Sequence, residues 1–195
     1  HLYEATIRRT SDGVPHIVAA DLPGVFFGQG YASAEDHACS LADQLLKITS
    51  TRAAFLGAGS GDANINSDFA WKSIGINELA REDYLAVSTE ITDQFEAFAA
   101  GWNSYVDEVG VDGLSGWCSG ADWVRPVTGE DVYAYARSIA LNASSSRLAG
   151  YIASAVPPSN AEAQPANYET PALAATPMAS NGWAVGRDAV EGGQG

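Results

Sequence analysis

A chain of 195 residues is long enough for one domain with a buried core, and a composition 46% hydrophobic and 17% charged is that of a soluble globular protein. Its 24 Asp and Glu against ten Lys and Arg leave a net charge of −14, which repels phosphate backbones and anionic lipid and so argues against nucleic acid and membrane partners. No apolar run approaches the roughly 20 residues of a membrane-crossing helix.

The chain opens at His1-Leu2-Tyr3 with no basic stretch and apolar core ahead of it, which reads as a mature end left after export. Glu4 to Arg9 alternates as a strand does, Ser11-Asp12-Gly13 is a turn, and Val14 to Val18 returns as a second strand. Pro15 places that strand at an edge or near its own end. From Ala34 the period becomes helical. Cys39, Ala42, Leu45, Leu46 and Thr49 share a face, Glu35 and Asp36 sit at the positive end, and Gly57 and Gly59 are expected to close the helix.

Ile65 to Trp71 is mixed and reads as a short helix or a loop. A long helix follows. Ile91, Phe95, Phe98, Trp102, Tyr105, Val106 and Val109 recur every three or four residues until Gly110 ends the pattern. Gly113 to Trp123 is a glycine-rich loop, after which Thr128 caps a helix running through Tyr135, Ile139 and Leu141, with Asp131 reaching back. Cys39 and Cys118 stand too far apart for a CxxC metal or redox site. They read as a long-range disulfide of an oxidising compartment, the other reading being two buried thiols in a cytosolic protein.

After about Ala155 the composition changes. Five of the eight prolines fall at 157, 158, 165, 171 and 177 among small and polar residues, so the stretch cannot offset its ordering entropy and reads as an exposed spacer. Strand character then returns at Trp183-Ala184-Val185-Gly186. A strand straight after a dispensable spacer needs a reason, and autoproteolysis at Ala179-Ser180 supplies one. A serine hydroxyl is a weak nucleophile without a base, and a serine at a new chain N-terminus carries its own base in the α-amino group. From the residues alone, Ser180-Asn181-Gly182 reads first as a turn.

A resemblance changes that weighting. Ser180-Asn181-Gly182-Trp183-Ala184-Val185-Gly186 resembles the start of the β chain in the penicillin acylase family of N-terminal nucleophile (Ntn) hydrolases. Ile7 to Thr10 with Asp12 to Ile17 resembles the start of that family's α chain, and Gly28-Gln29-Gly30-Tyr31-Ala32 with Ala34-Glu35-Asp36 resembles its next block. The segments Ala34 to Gly57 and Trp123 to Pro126 are most similar to the acyl-homoserine-lactone and aculeacin A acylases.

The resemblance implies an α+β fold, a mainly helical α chain with N-terminal strands that completes an αββα heterodimer with the β chain of the same precursor. Residues 1–155 would be the α-chain domain, 156–179 the spacer, and 180–195 the start of the β chain. It implies that Ser180 is catalytic and that Ala179 and Ser180 form the autocleavage junction, with the oxyanion groups beyond residue 195. It further implies an acyl pocket on the late α-chain helix, where Ala140, Leu141, Ala143 and Ser144 are small enough to leave a deep slot for a long acyl chain. No metal or cofactor enters the implied chemistry. Where some relatives carry a calcium-binding acid, Ser145, Ser146 and Gly150 stand here.

The expected protein is thus a secreted or periplasmic bacterial amidohydrolase acting on a fatty-acyl homoserine lactone or lipopeptide. Within the class the alternative is a penicillin V or G acylase. Outside it, the alternative is a secreted acidic interaction domain in which Ser180 does nothing. His16 and His37 lack any serine–histidine spacing and read as structural, and Gly57 to Gly61 is a turn because no Lys-Ser helix follows it.

Overall fold

The structure, a computed structural model, describes residues 3–141 and 148–156. Two short strands, β1 (Thr6–Arg9) and β2 (Pro15–Val18), form an antiparallel hairpin in the register Thr6 to Val18, Ile7 to Ile17 and Arg8 to His16. Pro15 is the first residue of β2, where its missing N–H costs the ladder least. Arg9 fixes the hairpin to the first helix: Nη2 lies 2.5 Å from Glu35 Oε2 and 3.0 Å from Asp36 Oδ1, while Nη1 donates to the Gly13 carbonyl oxygen.

Helix α1 (Leu22–Ile48) starts twelve residues earlier than its periodicity predicts. Asp21 caps it by accepting from the Gly24 amide at 2.8 Å, and Pro23 sits in the first turn, where an N–H has no helical partner anyway. The early turns escape a period search because their inward positions are Gly24, Gly28 and Gly30 rather than large apolar residues. The far end also differs. The helix stops at Ile48, Thr49 Oγ1 donates back to the Leu45 carbonyl, and Ser50 takes a positive φ of 57°. Gly57 instead follows a separate short helix, α2 (Arg52–Leu56), whose first amides donate to the Asp68 carboxylate.

Two further helices follow, α3 (Ala63–Ile74) over the region of mixed signal and α4 (Ile76–Tyr84), joined at Gly75. Helix α5 (Thr89–Val109) holds the predicted apolar stripe and ends at Gly110. Helix α6 (Gly129–Ala140) opens on the expected capping box: the Asp131 amide donates to Thr128 Oγ1 at 3.2 Å, and the Thr128 amide donates to Asp131 at 2.9 Å. A final short helix, α7 (Ala149–Ala153), packs on α3.

The principal packing is α1 against α5, with α6 covering α4 and α5. Trp102, Ile48, Ile76 and Cys118 are the largest fully buried side chains of one continuous core. Among the described residues the architecture is α+β, mainly helical with one small sheet. Cys39 and Cys118 form a disulfide that ties the loop before α6 to the middle of α1 across 79 positions. Closing a loop of that size stabilises by about 4 kcal/mol in the chain-entropy account. Replacing both cysteines by alanine is expected to lower stability by about that amount, read as a lower denaturant midpoint with a steeper slope, because the uncrosslinked denatured chain exposes more surface.

Asp131 gives α6 a pH dependence. Burial pushes its carboxyl up, but hydrogen bonds from Arg125 and Thr128 outweigh that and hold it below its ordinary 3.8. A carboxylate with a depressed folded value stabilises above its unfolded value and loses that contribution as pH falls through the folded one. Asp131→Asn is therefore expected to cost about 1 kcal/mol at pH 7 and progressively less below about pH 4. Acid titrations of the thermal midpoint of both proteins read the difference.

Candidate functional site

Ser180, Ala179, Ala143 and Ser144 lie outside the described residues. Of the expected acyl-pocket residues, Ala140 is exposed on the last turn of α6, and Leu141 is half-buried against the chain's own core. Helix α6 is held firmly up to that point. Its start carries the capping box, Arg125 donates both Nη atoms to Asp131 at 2.8 Å, and Arg137 is ion-paired to Asp83 on α4 while donating to the Leu79 carbonyl. These bonds fix the direction in which α6 delivers Ala140.

Among the described residues, hollows open on the helical layer. One, of about 260 Å³, lies between the end of α1, α2 and the loop before α6, and it is apolar: Ala42, Leu45, Leu46, Phe55 and Trp123 line it with Thr49, Thr51 and Arg125. A second, of about 370 Å³, is shared by α1, α5 and α6, with Ser33, His37, Ser40 and Gln44 facing Phe98 and Tyr135. It sits at a break in α1, since His37 leaves helical geometry at φ −142° and ψ 26°. His37 itself is exposed, as is His16 in its strand, and no serine–histidine pair with hydrogen-bond contact forms at either among the described residues. The third, of about 510 Å³, lies among α1, α2, α3 and α7 and carries two cations, Lys47 and Arg52.

The electrostatics are those of a scaffold around these hollows. Tyr31 donates to Glu108 at 2.7 Å, which with burial pushes its phenol up to about 12 and ties α1 to α5. Burial, then a hydrogen bond to Glu96, raises Tyr84 further. Lys47 is pushed down by burial and by nearby Arg52, against the opposing pull of Asp43. Among the described residues, no group of three or more His, Cys, Asp or Glu side chains is placed to hold a metal ion, and no helix is long and apolar enough to cross a membrane. Sequence reasoning passed over His37 as a helix break and Lys47 as a cavity residue. The first has no local signal, and the second depends on Trp71, which lies on another helix.

A model of the penicillin amidase family matches residues 4–195. The chain is similar to the acyl-homoserine lactone acylase PvdQ of Pseudomonas savastanoi pv. phaseolicola, 34% identical over 159 residues, covering 80% of this chain and 20% of that protein. It is similar to the aculeacin-A acylase of Actinoplanes utahensis, 34% identical over 193 residues, covering 94% of this chain and 24% of the other. Among solved structures it resembles a thermostable penicillin G acylase from Alcaligenes faecalis, with a TM-score of 0.64 and 26% identity over 75% of this chain and 76% of that one. The chain spans only 20% to 24% of the length of these two curated relatives.

Proposed function

The chain belongs to the penicillin amidase family, and on that premise we propose that it is the front part of an autoproteolytically matured amidohydrolase whose nucleophile is Ser180. One observation carries this reading: the family match spans residues 4–195, a range that extends past the spacer and takes in Ala179-Ser180-Asn181-Gly182. In maturation Ser180 Oγ attacks the Ala179 carbonyl carbon, the C–N bond breaks, and the acyl group moves from nitrogen to oxygen. Water then hydrolyses the ester, leaving a carboxylate on Ala179 and a free hydroxyl and amine on Ser180.

In turnover that amine, which titrates near about 8 in peptides, takes the Oγ proton as Oγ attacks the substrate amide. The proton passes to the departing amine, and water releases the acid from the acyl-enzyme. Residues 1–155 serve as the α-chain domain, 156–179 as the spacer, and 180–195 as the first part of the β chain, which is the partner in the heterodimer.

The substrates are N-acyl compounds with long acyl chains, acyl-homoserine lactones or lipopeptides. The names of the acyl-homoserine lactone and aculeacin-A acylases support this, as do the small residues Ala140, Ala143 and Ser144 around Leu141. The Cys39–Cys118 disulfide supports an extracytoplasmic site of action. A penicillin acylase is the second reading, and the likeness to the penicillin G acylase structure favours it.

Expression of the whole precursor and determination of the chain termini tests the proposal. A new terminus at Ser180 is expected, and an uncut chain with full amidase activity would overturn it. A panel of amides then separates the two substrate readings. Fatty-acyl amides are expected to be turned over faster than phenylacetyl or phenoxyacetyl amides, and the reverse order rules out the deep slot.

A further inference from the structure

The reaction above uses none of the residues that line the hollow bounded by α1, α2, α3 and α7, and the chemistry of that hollow is unlike the rest of an acidic surface. Lys47, on the last turn of α1, is half-buried with its Nζ 4.9 Å from the centre of the Trp71 ring. Its one polar contact is to the Gln44 amide oxygen, and no carboxylate pairs with it among the described residues. In a chain where acids outnumber Lys and Arg by 24 to ten, a half-buried ammonium facing a hollow without a carboxylate is a charge awaiting a counter-ion.

The neighbouring cation is already neutralised. Arg52 holds Asp43 through Nε at 2.7 Å and through Nη2, and its Nη1 makes no hydrogen bond among the described residues. Asp68, the nearest acid on α3, is turned to the Arg52 and Ala53 amides. The lining is completed by the amide of Asn66, the hydroxyl of Ser67, and four alanines, Ala63, Ala70, Ala149 and Ala153. Lys47 and Arg52 thus share one carboxylate, Asp43, so the hollow carries one net positive charge, and small apolar side chains make up much of the remaining wall. This is the pattern of a site that binds one negative charge attached to an apolar body.

We infer that this hollow is a binding site for small apolar carboxylates, with Lys47 holding the carboxylate and the alanine wall holding the hydrocarbon. A dianion such as phosphate is disfavoured, because Lys47 and Arg52 with their shared Asp43 leave only one net positive charge. A bound carboxylate also favours the charged form of Lys47, against the burial that pushes its ammonium down.

The test uses the complete matured enzyme with its lysines dimethylated from 13C-formaldehyde, which preserves their charge. The Lys47 methyl signal is identified by its loss in Lys47→Gln. Sodium octanoate is expected to shift that signal saturably and raise the Lys47 pKa, with acetate at least tenfold weaker because it leaves the alanine wall unfilled. Ala153→Leu, which fills the wall from the peripheral helix α7 and leaves the reporter in place, is expected to weaken octanoate at least tenfold, and Ser67→Ala about threefold. No Lys47 shift with octanoate overturns the inference. So does an unchanged octanoate titration in both variants, and so does phosphate acting at lower concentration than octanoate.

Discussion

Gly101→Ala and Gly30→Ala are each expected to destabilise the protein by about 3 kcal/mol or more, although alanine is the better helix former by about 1 kcal/mol. The two glycines lie on α5 and α1 where those helices cross. A Cβ on Gly101 would stand 1.9 Å from the Phe27 carbonyl oxygen and 2.9 Å from the Tyr31 amide nitrogen, and one on Gly30 would stand 2.0 Å from the Phe98 carbonyl oxygen. All of these are backbone atoms, so no side chain can turn aside. The helices must separate, and they would lose contact along the pair that carries most of the packing. Gly150→Ala on α7, where a Cβ meets nothing within 4 Å, provides the control and is expected to be neutral or slightly stabilising. Denaturant midpoints of the three variants check this. Equal stability for Gly101→Ala and Gly150→Ala would show that the crossing is looser than described.

The same crossing explains which parts of the fold could be read from sequence. Helix α5 was legible because its inward face is large and apolar, with Phe95, Phe98, Trp102 and Val106 at helical spacing. The capping box on α6 was legible because it is local, confined to Thr128 and Asp131. The first half of α1 was not, because its function is close approach and its signal is the absence of side chains. Gly28 faces the hairpin, where a Cβ would lie 2.6 Å from Ile17 Cγ2, while Gly30 faces α5. Two residues apart on a helix, they point to nearly opposite sides. The block Gly28-Gln29-Gly30, noticed in the sequence only as a family likeness, thus has a geometric reason: α1 is wedged between the hairpin and α5. Helix α4 was missed for a different cause, since it is only nine residues long and buries just Ile76 and Ala80, too few positions to establish a period.

The site divides along the same line. Ser180 was proposed from a chemical need, a serine with its own amine, sharpened by resemblance, and both are properties of contiguous residues. Lys47 and His37 depend on what other helices bring beside them, Trp71 in one case and Phe98 with Tyr135 in the other. Contiguous motifs are legible in one sequence. Juxtapositions across the fold are not.

Ser180→Ala is expected to leave the precursor as one chain and to reduce amide turnover by at least about four orders of magnitude. The substitution removes only an oxygen, so the fold of the helical layer should be unchanged, and a circular dichroism spectrum equal to the parent's checks that. Two losses are expected to coincide in this one variant because, in the proposed mechanism, the same oxygen attacks Ala179 once and every substrate thereafter. Ser180→Cys separates them. A thiol can still attack the Ala179 carbonyl, so cleavage is expected to persist in that variant, with turnover lowered by a nucleophile whose geometry and proton balance differ. The wild-type rate should carry the signature of the base. With an α-amino group as proton acceptor, kcat/KM rises with pH through a value near about 8, or lower where the site depresses it, and acetylation of that amine abolishes activity. Retained turnover in Ser180→Ala, or full activity after acetylation of the new terminus, would place the nucleophile or its base elsewhere in the protein.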